Sequence, residues 1–122
     1  MHYLGYKSPK QIPAILKAAD LLLITYSLHY ENVMYSSPLK LIEAMASGTP
    51  IITADLPGAR HLLSEAEAYF YQPDNPVSLQ AAIQAAIDYP GEARMKAQRA
   101  FMRVAEFDWQ KRVAKIIAFS NQ

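Results

Sequence analysis

The sequence contains no cysteine, so neither a disulfide framework nor a thiolate metal site is open to it. Its histidines, His2, His29 and His61, stand at spacings that suit no shared metal ion, and no metal or other cofactor is expected. Glycine is scarce, at four residues. The Gly-x-Gly-x-x-Gly, Gly-x-x-x-x-Gly-Lys-Ser/Thr and Gly-x-Ser-x-Gly patterns are all missing, which removes the main support for a dinucleotide oxidoreductase, a P-loop ATPase or a serine hydrolase. No apolar run approaches the roughly 20 residues that span a bilayer, and Met1 to Tyr6 lack the form of a signal peptide. A cytoplasmic protein is expected, with any membrane contact peripheral and at the inner face. Net charge is only +1, so the chain lacks the basic excess of a nucleic-acid binder, although seven of its 12 basic residues lie from Arg94 onward. An anionic membrane or a nucleic acid is one reading of that tail, and a solvated helix face is the preferred one.

What is present is a core: 52% of the 122 residues are hydrophobic, enough for one domain, and no repeat or linker divides the chain. Tyr3 to Tyr6 reads as a short strand. Ser8-Pro9 then places a cap before a proline at the first helical position, and Ile12, Ile15, Leu16 and Ala19 mark the buried stripe of the helix that follows. Leu21 to Tyr26 is a continuous apolar run of the kind found in buried parallel strands. After a tyrosine-rich loop from Ser27 to Ser37, Pro38 opens a helix that Gly48 ends, and Pro50 to Thr53 is the next strand. Pro57-Gly58 leads into a short helix through Leu63, and Tyr69 to Tyr71 is the last strand before the turn Pro73-Asp74-Asn75-Pro76. Helices follow over Leu79 to Ile87, Glu92 to Glu106 and Asp108 to Phe119, with Pro90-Gly91 as a break and Trp109 packing the last one back. This alternation predicts an α/β class: a truncated Rossmann-like three-layer domain of about four parallel strands, with helices on both faces and a helical C-terminus. A sheet opening with so short a strand is expected to lack strands upstream, and its open edge to favour a dimer of the fragment.

Ligands of open parallel sheets bind beyond the carboxyl ends of the strands, where helix N-termini favour anions. The Ser37 to Lys40 segment opens such a helix: Pro38 has no N–H, so the free donors are the Leu39 and Lys40 amides, beside the Lys40 ammonium. Lys40, Glu43 and Ser47 form one polar stripe on an otherwise apolar helix, and a carboxylate one turn below a phosphate site suits paired sugar hydroxyls. An intrahelical Lys40–Glu43 ion pair is the competing reading. His29, Tyr30, Glu31 and Tyr35 lie in the preceding loop and are candidates for the lining of a base or sugar pocket.

The run Ser36-Ser37-Pro38-Leu39-Lys40-Leu41-Ile42-Glu43-Ala44-Met45-Ala46-Ser47-Gly48-Thr49-Pro50-Ile51-Ile52 resembles the donor-site motif of retaining glycosyltransferases of the glycogen synthase and sucrose synthase kind. Tyr3-Leu4-Gly5-Tyr6, Ala18-Ala19-Asp20, Pro57-Gly58 and Phe107-Asp108-Trp109 extend the resemblance in order over most of the chain. It implies a GT-B architecture of two Rossmann-like domains, with this chain as the later part of the sugar-nucleotide domain and the N-terminal acceptor domain missing. Glu43 would hold the ribose hydroxyls and the Leu39 and Lys40 amides the diphosphate, with Tyr35, Ser36, Ser37 and Pro38 completing the substrate-binding set. No catalytic residue is assigned. The sequence departs from the family pattern at Tyr35, where many relatives carry a glutamate toward the donor sugar, and at His61, where an acid often follows the glycines. The arginine and lysine that grip the pyrophosphate in relatives would lie upstream. The expected function is therefore the binding of a UDP- or GDP-linked sugar for surface polysaccharide or lipid-linked glycan synthesis, by a part that is inactive alone. A non-catalytic interaction module and a sugar-nucleotide epimerase of the same architecture are the alternatives.

Overall fold

A computed structural model of the chain describes residues 1–31 and 39–120, with main chain alone at 109, 112, 115 and 120. Its sheet has three parallel strands, Leu22–Ile24 (β1), Ile51–Ala54 (β2) and Tyr69–Tyr71 (β3), in that spatial order. Leu22 sits opposite Ile51, and Ile52 opposite Tyr69. All four β2 residues are buried, as a central strand covered on both faces requires.

The expected strand at Tyr3 to Tyr6 does not form: these residues are irregular, and the Tyr3 and Tyr6 side chains are almost fully exposed. A strand exists only against a neighbour. In the 3-2-1-4-5-6 order of a doubly wound sheet, the third strand lies at one edge and never beside the fourth. If β1 to β3 are the second half of such a sheet, Tyr3 to Tyr6 has no place against β1. The second expected run is likewise shortened, from Leu21–Tyr26 to Leu22–Ile24, and Leu23 is 47% exposed because β1 is an edge strand.

The helices are Ile12–Ala18 (α1), Leu39–Ser47 (α2), Pro57–Leu62 (α3), Pro76–Asp88 (α4), Pro90–Val104 (α5) and Trp109–Ser120 (α6), with a 3-10 turn at Ala105–Phe107. Proline sets three starts, since Pro57, Pro76 and Pro90 each open a helix where the missing N–H costs nothing. Asn75 completes the α4 cap by accepting the Ser78 amide at 3.0 Å. The first helix starts later than Ser8-Pro9 suggests: Ser8 donates to the Gln11 side chain, residues 9–11 form a turn, and Gln11 precedes the helix.

Two apolar clusters cover the two faces of the sheet. Leu41, Ala44 and Met45 of α2 meet Leu22, Ile51, Ala59, Leu62 and Leu63 on one face, while Ala82 and Ala86 of α4 cover Ile52, Ala54 and Tyr71 on the other. Helix α5 joins both, with Ala93 in the second cluster and Ala100 in the first. It lies near the amino ends of the strands: Lys96 donates to the Glu65 carbonyl and sits over the Tyr69 ring at the start of β3, and Arg103 reaches Glu67 at 3.2 Å. Salt bridges and apolar contacts thus close that end of the sheet, and the carboxyl ends remain open for loops.

Helix α2 is not apolar all round in effect. Leu41, Ala44 and Met45 are buried, but Leu39 is 66% exposed, so the helix has one covered face and one open one. It ends as expected at Gly48, whose φ of +72° is in the left-handed region. A methyl group at Gly48 would meet no atom within 4 Å, so only the backbone conformation opposes a side chain there. Gly48→Ala should therefore cost about 1 kcal/mol of stability, the left-handed penalty alone, read as a lower urea midpoint with an unchanged slope.

Candidate functional site

Of the residues expected to bind substrate, Leu39, Lys40 and Glu43 are described, and Tyr35, Ser36, Ser37 and Pro38 lie outside the described residues. Lys40 and Glu43 are both exposed on the open face of α2. Among the described residues no ion pair joins Lys40 to Glu43; the ion pairs present are Arg60 with Asp55 and Glu65, Lys96 with Glu92, and Arg103 with Glu67. Among the described residues nothing takes up the Glu43 carboxylate, which stands on a solvent-open face.

Glu43, Ala46 and Ser47 of α2 line a groove of about 550 Å³ with α1 and the segment before it, whereas Leu39 and Lys40 are not in its described lining. Glu43 and Ser47 form one wall, Ile12, Leu16 and Lys17 of α1 the other, Tyr6 and Lys7 one further side, and Phe101 of α5 another. Its lining is mostly apolar with convergent charges, the composition expected of a small-molecule site. Thr49 fixes the angle between its two helical walls, because its buried hydroxyl donates to the Leu16 carbonyl at 2.8 Å across the α1–β2 junction. Lys7, Lys17 and Phe101 were not legible as residues lining this groove. They sit in no motif and meet Glu43 only through tertiary packing.

A second groove, of about 630 Å³, lies at the carboxyl ends of β1 and β3 on the α4 side and does not include Glu43. Its wall is held by Asp74, whose carboxylate accepts the Leu28 amide at 2.8 Å and so ties the loop after β1 to the turn after β3. Asp74 is the one described non-glycine residue with positive φ, at 57°. That conformation is tolerable for aspartate and aims its carboxylate at the neighbouring loop.

The loop after β2 is set by Arg60. Its guanidinium bonds Asp55 through two nitrogens, at 2.6 and 2.8 Å, reaches Glu65 at 2.5 Å and stacks 3.7 Å over the Phe70 ring. His61, the departure noted in the sequence, is exposed beside it. The Arg60 hydrogen bonds hold the Asp55 carboxyl below its ordinary range, and the Leu28 amide, followed by the Ser27 hydroxyl, does the same for Asp74. A depressed carboxyl pKa stabilises the fold above the unfolded value, and that stability is lost as pH falls through the folded one. The urea midpoint should thus be flat near neutrality and fall as pH drops below about 4. Asp74→Asn should make that acid limb shallower, and an unaltered limb would show that Asp74 contributes nothing to it.

With this geometry in place, the family described as glycosyl transferases group 1 matches residues 1–103. The chain belongs to that family. Among known relatives, it is 28% identical over 110 residues to a glycogen synthase of Mycobacterium tuberculosis, covering 88% of this chain and 25% of that protein. It is also 23% identical over 118 residues to a putative teichuronic acid biosynthesis glycosyltransferase of Bacillus subtilis, covering 96% of this chain and 29% of the relative. Among solved structures, the sucrose-phosphate synthase of Thermosynechococcus elongatus superposes with a TM-score of 0.80 at 24% identity, covering 99% of this chain and 29% of that one. HepE of Anabaena, solved with UDP and glucose, gives 0.74 at 22% identity, covering 96% and 31%. The chain therefore spans about a quarter to three-tenths of the length of these group 1 relatives. The α/β fold expected of the group, with helices on both faces of a parallel sheet, is the one observed. Among the described residues no helix is long and apolar enough to cross a membrane.

Proposed function

We propose that residues 1–122 are part of the nucleotide-sugar-binding domain of a two-domain glycosyltransferase, and that this part binds a UDP- or GDP-linked sugar without transferring it alone. The observation that carries the reading is Glu43: a carboxylate on the open face of α2 with no ion pair among the described residues, lining a groove with Lys7 and Lys17, inside the segment that matches the family. A carboxylate accepts both hydroxyls of a ribose, and the Leu39 and Lys40 amides proposed for the diphosphate open the same helix, at its N-terminal end and outside the described lining of the groove. HepE, which shares the fold, was solved with UDP-glucose, which favours uridine as the base.

Transfer needs donor and acceptor held together in a water-poor cleft with stabilisation of the leaving diphosphate, and one groove on one domain supplies only the donor half. The acceptor domain would be contributed by the remainder of a longer polypeptide, at the inner face of the membrane if the product is a surface polysaccharide or lipid-linked glycan. The teichuronic acid relative favours that class of product.

Titrating UDP and GDP into the 122-residue chain, followed by amide NMR, tests the binding. Saturable shifts at Leu39, Lys40 and Glu43 are expected. A well-dispersed spectrum that stays unmoved at saturating nucleotide would overturn the assignment and favour a non-catalytic module.

A further inference from the structure

The two grooves differ in charge, and that difference sorts their ligands. The Glu43 groove is flanked by Lys7 and Lys17, whereas the groove beyond β1 and β3 has no lysine or arginine among the described residues of its lining and contains the Asp74 carboxylate. A phosphate entering the second groove would meet the Asp74 carboxylate with no lysine or arginine among the described residues of the wall to offset it, the His29 imidazole being the basic group that acts on Asp74 from the neighbouring loop, an unfavourable contact in a partly desolvated site. Three tyrosines, Tyr26, Tyr30 and Tyr71, present aromatic surface there, and Thr25, Ser27 and Asn75 add small polar groups. Tyr71 is buried, forming a floor, and Tyr30 is 73% exposed, forming a free rim.

From this arrangement we infer a second binding site, for a neutral saccharide, in the groove at the carboxyl ends of β1 and β3. Pyranose rings have apolar C–H faces that lie on tyrosine and hydroxyl edges that need acceptors and donors, and both are in this wall. Asp74 spends acceptor sites on the Leu28 amide and the Ser27 hydroxyl, yet a carboxylate offers about four, so it retains capacity for sugar hydroxyls. Those same bonds hold the two loops at a fixed separation, so the groove is formed before its ligand arrives. Its volume of about 630 Å³ is ample for more than one hexose unit. This site is separate from the donor groove and does not depend on the donor reading.

The test is amide NMR of the 122-residue chain with maltotriose, cellotriose and, separately, UDP and choline. At least one trisaccharide should give saturable shifts at Tyr26, Ser27, Tyr30 and Asp74. Tyr30→Ala, at an exposed position, should weaken that binding at least tenfold with spectral dispersion intact, and Glu43→Ala should leave it unchanged. The inference is overturned if neither trisaccharide shifts these signals in a folded sample, if choline or UDP shifts them and the sugars do not, or if Glu43→Ala abolishes the effect. Shifts from UDP at Lys40 and Glu43 report on the donor groove in the same samples, so either site can fail alone.

Discussion

Leu41→Ala should lower the unfolding free energy of this chain by about 2–5 kcal/mol, the range for emptying a packed leucine site in a core. Leu41 is fully buried, at the centre of the cluster where α2 meets β1, β2 and α3. Its loss removes apolar contact and leaves a cavity that rigid neighbours fill only in part. A domain of this size has about 5–15 kcal/mol in total, so the variant should be visibly less stable and partly unfolded on mild heating. Leu39→Ala is the matched control, because Leu39 is on the same helix but 66% exposed, and its urea midpoint should move by less than about 0.5 kcal/mol equivalent. Equal midpoints for the two variants would show that α2 is not packed through the Leu41 face. The contrast also tests the geometry of the groove proposed for the donor, since burying Leu41 is what turns Glu43 outward.

How much of this was readable in the residues depends on how local the cause is. Proline at the first helical position fixes its own φ, and Pro57 announced its helix correctly, whereas Pro76 and Pro90, read as part of a turn and as a break, in fact open helices, and Pro9, read as an opener, does not. Gly48 announced the end of α2 for the same kind of reason. Strand Tyr3–Tyr6 failed because a strand is a relation between two segments, and its sequence carries no information about whether the partner is present. The apolar run at Leu21 to Tyr26 gave the right element with the wrong exposure, since only the sheet order makes β1 an edge. At the candidate groove, Glu43 and Ser47 stand at a helical spacing and could be read, while Lys40 of the same stripe lies outside the described lining and Lys7, Lys17 and Phe101 come from three other segments and could not be read. Asp74 looked like an ordinary turn residue between two prolines. Its bond to Leu28, 46 positions away in sequence, is what makes it the hinge of the tyrosine groove.

Glu43→Ala, placed in the longer polypeptide proposed to contain this chain, should raise the KM for the sugar nucleotide about 10- to 150-fold while leaving kcat nearly unchanged. The magnitude follows from losing hydrogen bonds to a charged acceptor, about 1.5–3 kcal/mol, at roughly 1.4 kcal/mol for each tenfold. The split follows from position: a ribose is remote from the breaking sugar–phosphate bond, so its contact holds ground state and transition state alike and appears in KM. Stability should be untouched, because Glu43 is exposed and makes no ion pair among the described residues. Glu43→Gln should recover part of the loss, since an amide oxygen still accepts one hydroxyl but lacks the charge. A wild-type KM in the alanine variant would remove Glu43 from the donor site. A fall in kcat with KM unchanged would place the carboxylate at the reacting centre instead, which an acid on the α1 side of α2 is poorly placed to reach.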